Sequence, residues 1–140
     1  MTCQELMRKQ VDIAEFQLRK CLDGITGDQW HHRSAPEAMS AYEMAVHLSE
    51  CYVAAIKEHR KETHEWGTFV VDVPEPDAVV AKMYDLRKEA ADALLQSEDD
   101  EALIHAGDFL VLHDAYHVGQ LATLRLQLGD WNPYALYEMG

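Results

Sequence analysis

Apolar residues recur at spacings of three and four in four separate stretches of this chain, and that period restricts it to helices packed against one another. Met7, Val11, Ala14, Leu18, Leu22 and Ile25 mark a first helix over residues 3–23, stopped by Gly24 and Gly27. Trp30 to Pro36 carries turn residues and no period, so it reads as a loop. Ser40-Ala41-Tyr42-Glu43 has the spacing of a capping box, in which serine and glutamate side chains satisfy backbone N–H groups at a helix start. A second helix follows to about His64, with Met44, His47, Leu48, Cys51 and Ala55 inward. Gly67, Pro74 and Pro76 bound a link containing Phe69-Val70-Val71, and a third helix turns Val79, Met83, Leu86, Ala90 and Leu94 inward. Acidic residues Glu98 to Glu101 mark an exposed junction, with a short helical turn through Ile104. The fourth helix is predicted over residues 108–128, with Phe109, Leu112, His113, Tyr116, His117, Gln120, Leu121 and Leu124 on one broad face and Gly129 closing it. The aromatic tail from Trp131 to Gly140 packs across the end of the bundle, covers a pocket or meets a second subunit.

These elements predict one all-α domain over residues 1–140, a four-helix bundle. Antiparallel helix neighbours need only short loops, so the long connection between helices 2 and 3 predicts that those two run parallel. A chain of this length buries roughly two thirds of its unfolded surface, enough for one real core.

Charge narrows the partners. Twenty-five acidic residues against 12 basic ones leave a formal net charge of −13, which repels nucleic acid and anionic membrane surfaces. No stretch approaches the roughly 20 apolar residues that span a bilayer, and the amino terminus, with Glu5 and Asp12, lacks a signal peptide's apolar core. A cytoplasmic location is expected. Cys3, Cys21 and Cys51 form no C-x-x-C pair and read as small buried hydrophobes.

His113 and His117 are four apart, so their imidazoles leave one helix face about a turn from each other, at metal-ligand spacing. Burying such a pair is costly, and binding a cation through neutral nitrogens meets that cost. The alternative is one histidine in solvent and one hydrogen-bonded in the core. His47 lies on the inward stripe of helix 2 and can reach the same region, and three imidazoles leave coordination positions open, as in catalytic sites. Around them, Asp114 lies behind a ligand or faces solvent, and Tyr116 is a core aromatic or points its hydroxyl into the pocket. Gln120 orients a ligand, meets a metal-bound water or ties helices together. Cys51, four residues after His47, can approach the metal and close the site.

The run His113-Asp114-Ala115-Tyr116-His117-Val118-Gly119-Gln120-Leu121, followed by Leu124-Arg125 and Leu128-Gly129, resembles the H-[DE]-x-x-H-x-G-Q-[LI] signature of the DinB-like superfamily, which includes the YfiT-type proteins. Trp30, Ser40 at a helix start and His47-Leu48 resemble that family's upstream segment, and the likeness spans about residues 5–130. The resemblance implies an up-down-down-up four-helix bundle with a long connection between helices 2 and 3. It implies that His47, His113 and His117 bind one divalent metal, zinc or nickel, and that the protein is a homodimer. Val118 stands where many relatives carry Arg or another polar residue, which puts a local surface or anion contact in doubt.

Family members include transferases that use low-molecular-weight thiols, so the resemblance implies a metal-dependent enzyme that activates such a thiol for S-transfer to an electrophile. The same three ligands serve a hydrolase using metal-bound water, or a module that holds metal and small molecule without turnover. The likeness of His113-Asp114 to H-E-x-x-H zinc proteases is weaker, because aspartate is a methylene short and no sheet is present to align a peptide. A di-iron bundle needs several glutamates that this chain does not place.

Overall fold

The computed structural model describes residues 1–139 and is all-helical, with no strand among them. The principal helices are α1 (Cys3–Leu22), α2 (Ala41–His59), α3 (Pro76–Gln96), α4 (Asp100–Gly107) and α5 (His113–Leu128). A π-helical turn, Asp108–Leu112, joins α4 to α5 into one continuous helical rod, so four rods pack around a shared core. No helix among the described residues is long and apolar enough to cross a membrane.

Local sequence sets the helix ends. Thr2 and Ser40 each cap a helix through complete capping boxes with Glu5 and Glu43. Pro76 occupies the first turn of α3, where a missing N–H costs nothing. The helix predicted to reach His64 stops at His59 instead, because Lys61 turns left-handed at φ 59° and takes the chain away from the helical path. Residues 60–75 then form the long link to α3.

The core contains most of the predicted stripes: Val11, Ala14, Leu18 and Leu22 from α1, Met44, Leu48, Cys51 and Ala55 from α2, and Val79, Met83, Leu86, Ala90 and Leu94 from α3. Trp30, in a 3-10 turn at Gly27–His31, is buried as well. The fourth rod departs from its predicted face. Leu112 and Tyr116 are 67% and 63% exposed, whereas Leu110, Asp114, Val118 and Arg125 are buried. The π turn accounts for this: the His113 N–H donates to the Asp108 carbonyl five residues back, which adds a residue to the turn and rotates everything beyond it.

The end of the bundle is tied by cations and carbonyls. Arg125 donates to the Cys21 and Asp23 carbonyls at 2.7 and 2.5 Å, satisfying orphan acceptors at the negative end of α1. The aromatic tail lies along α1, where Trp131 donates to the Lys20 carbonyl and Gln17 donates to the Leu136 carbonyl. Gly140, the last residue of that predicted tail, lies outside the described residues.

Candidate metal centre

His47 projects from α2 and His113 and His117 from the start of α5, and their ligating atoms lie within 4.8 Å of one another. Ring centroids are separated by 5.5 Å for His47–His113, 4.9 Å for His47–His117 and 4.5 Å for His113–His117. His113 and His117 present their Nε2 atoms to each other at 3.1 Å. Two nitrogens on a tetrahedral zinc at about 2.0–2.1 Å sit roughly 3.3–3.4 Å apart, so this pair already spans one edge of such a site. The third imidazole lies within a short inward movement of completing a face.

Gln120 fixes the tautomer. Its Oε1 can only accept, so His117 Nδ1 carries the proton across their 2.7 Å bond, leaving the Nε2 lone pair directed at the other two rings. Gln120 is held in turn, its amide donating to the Tyr116 hydroxyl at 3.2 Å. Gln120 therefore bonds within its own helix, to His117 and Tyr116, and does not tie two helices together. Tyr116 is corrected on both counts, being neither a core aromatic nor directed into the pocket: it lies outside and braces Gln120.

Burial disfavours the protonated form of two of the three rings, His47 and His117. Desolvation, the neighbouring His113 charge and, more weakly, His47 push the His117 ring down to about 4, against the opposing bond to Gln120. His47 is lowered by desolvation and by His113, partly offset by Glu50. Nitrogens that refuse protons keep lone pairs available to a cation. The Nδ1 of His113 is buried without a hydrogen-bond partner.

Asp114 is the second correction. It neither faces solvent nor bonds to an imidazole. It is fully buried, accepts from Arg87 Nε at 2.8 Å and from the Tyr52 hydroxyl at 2.9 Å, and joins α5 to α3 and α2. Burial pushes its carboxyl up, while the Arg87 charge and the bonds from Arg87 and Tyr52 pull it down. Arg87 also donates to the Val11 carbonyl and to the Leu110 carbonyl within the π turn. Sequence reading missed Arg87, since an arginine on a helix gives no sign of being buried until its acceptors are in place. Cys51 stands beside the ligand group with its Sγ 3.6 Å from His47 Nε2. Burial, then the charges of Asp114 and Glu50, push its thiol up to about 12, so it is held protonated.

Two clefts open beside His47. One, of about 530 Å³, is lined by Met39, Tyr42, Val46, Glu50 and Phe69 among others. The second, about 460 Å³, is bounded by both His47 and His113 together with Cys51, Glu58, Trp66, His105, Asp108 and Phe109. Glu50 shapes both by strapping the link to α2: it accepts from Gly67 N–H at 2.8 Å, from Thr68 N–H at 3.2 Å and bonds to His64 Nε2 at 3.0 Å. Desolvation pushes the Glu50 carboxyl up, but the Gly67 N–H, the His64 ring and further link amides outweigh it and hold it below the usual carboxylate range. His64, where the second helix was expected to end, lies in the link instead, its side chain almost wholly buried and edge-on against Trp66 at 4.9 Å. An apolar groove of about 320 Å³ between the link and α3 contains none of the three histidines.

Compared with family models, with curated proteins and with solved structures, the chain matches none.

Proposed function

We propose that His47, His113 and His117 hold one divalent ion, zinc or nickel, and that the protein is a metal-dependent enzyme of the DinB-like type. In this reading it activates a low-molecular-weight thiol for S-transfer to an electrophile, within an up-down-down-up bundle. The observation that carries the reading is the convergence of three imidazoles from two helices, with His117 Nδ1 already committed to Gln120 and its Nε2 turned inward. Three imidazole donors with open space beside them suit an ion that keeps positions for a ligand.

When bound, the ion supplies a positive charge that favours the thiolate over the thiol. The chain's own residues do the rest. Gln120 and Tyr116 keep His117 in the ligating tautomer. Glu50 holds the link, and with it Trp66, at the mouth of the cleft beside the ion. The thiol proton leaves to solvent, the sulfur pair forms the new S–C bond and the electrophile's leaving group departs with its bonding pair. A peptidase reading loses its base, because Asp114 is committed to Arg87 and Tyr52 in the core. Exposed Leu112 and Tyr116, on one side of the fourth rod, give a homodimer an apolar surface to use.

The test is elemental analysis of protein purified without a His tag, followed by screening thiols against electrophiles. About one divalent ion per chain is expected in the wild type and much less in His113→Ala. Wild-type protein that is metal-free and refuses added zinc and nickel overturns the reading and leaves three structural histidines.

A further inference from the structure

The cleft shared by His47 and His113 has a charge pattern that bears on what binds there. Its wall beyond the imidazoles carries two carboxylates, Glu58 at the end of α2 and Asp108 in the π turn, and two aromatic rings, Trp66 and Phe109. Among the described lining residues none is Lys or Arg, and His105 is the one further side chain able to carry positive charge, its Nε2 3.5 Å from Glu58. Asp108 has no ion-pair partner among the described residues.

In the other cleft both carboxylates are engaged, Glu43 by Arg33 at 2.8 Å and Glu50 by His64 and the link amides, whereas here Glu58 has only the more distant His105 ring and Asp108 has no ion-pair partner among the described residues. The whole chain is also strongly anionic, at −13. A small anion approaching the histidines therefore meets repulsion from the molecule and from the wall of the cleft it must enter. A cation meets carboxylates and aromatic side chains along that wall, both favourable to an ammonium group.

We infer that the thiol taken at this centre is an aminothiol: its sulfur lies at the three histidines and its ammonium group faces the wall of the cleft that carries Asp108 and Glu58, whose charge selects it over carboxylate-bearing thiols. This rests on the metal-site reading above and adds to it the charge class of the ligand. Glu58 and Asp108 act here as specificity-determining residues, and neither belongs to the metal-ligating group.

Cobalt(II) in place of the native ion gives a visible spectrum that reports sulfur binding without turnover. Three probes of matched length separate charge: cysteamine as the cation, 2-mercaptoethanol as the neutral form and 3-mercaptopropionate as the anion. The quantity read is the ratio of Kd for 3-mercaptopropionate to Kd for cysteamine, compared between wild type and Glu58→Gln/Asp108→Asn, so that intrinsic differences in thiol acidity cancel. The ratio is expected to fall about tenfold in the variant, and in the wild type to shrink as salt is raised. Both substituted residues are exposed or nearly so, and unchanged cobalt binding confirms that the variant is intact. A ratio unchanged by the double substitution and insensitive to salt overturns the charge selection while leaving the metal site standing. Failure of wild-type protein to bind cobalt overturns both.

Discussion

At the scale of single residues, the centre depends on which nitrogen of each histidine carries its proton, and Gln120 makes that choice for His117. Gln120→Leu keeps the volume and removes the acceptor, freeing the ring to adopt either tautomer. Metal affinity is expected to drop by roughly 10- to 100-fold, read by competition with a chromophoric chelator, while the helical circular dichroism stays unchanged. His117 also sets a pH dependence. Its ring is lowered in the folded chain from 6.5 to about 4. Above pH 6.5 it is neutral folded or unfolded and contributes nothing. Between 6.5 and 4 the unfolded chain takes up the proton first, so stability of the metal-free protein declines through that window, by about 3 kcal/mol in all. An NMR titration of the metal-free protein should place the His117 ring near pH 4, and a midpoint near 6.5 would refute the buried, neutral arrangement. His47, His113 and His117 were legible in the sequence because a four-residue spacing and an inward stripe are local properties. Arg87 and the burial of Asp114 were not, since a helical stripe read from apolar residues assigns charged side chains to solvent by default.

At the scale of elements, the π turn at Asp108–Leu112 is the feature that a uniform helical period cannot represent. One added residue rotates α5 relative to α4, sending Leu112 outward and bringing Asp114 and Val118 in. That rotation buries position 118, which suits the hydrophobe Val118 found there. The turn is secured by Arg87, which takes the Leu110 carbonyl and the Asp114 carboxylate together. Arg87→Met fills most of the space but leaves Asp114 charged, buried and without its cation. Such half-removal of a buried pair costs about 3–5 kcal/mol, and chemical denaturation is expected to show a loss of that size. A cost under 1 kcal/mol would mean that Asp114 is protonated in the fold and the pair is not ionic. The early end of α2 has an equally local cause, the left-handed Lys61, yet no residue type there announces it, because lysine rarely adopts that conformation.

At the scale of the whole molecule, the proposed ion joins α2 to α5, two elements more than 50 residues apart in sequence, and so acts as a cross-link between rods. A ligand that binds only the folded chain stabilises it by about 2.7 kcal/mol at 100 times its Kd. For a domain of this size that is a rise in Tm of roughly 5–10 °C on adding zinc or nickel, reversed by chelator and absent in His47→Ala. An unchanged Tm across a wide range of metal concentration would speak against any ion bridging the two helices. The sequence by itself determined the number of helical rods, the inward stripes of the first three, the capping box at Ser40 and the spacing of the three histidines, because each of these depends on neighbours within a few positions along one chain segment. Tertiary structure alone decided the rotation of α5, the buried Arg87–Asp114–Tyr52 network and the clefts on either side of His47. Those depend on where a side chain finds an acceptor or a wall from another helix, and desolvation rewards or penalises a polar group only once that partner has been brought beside it.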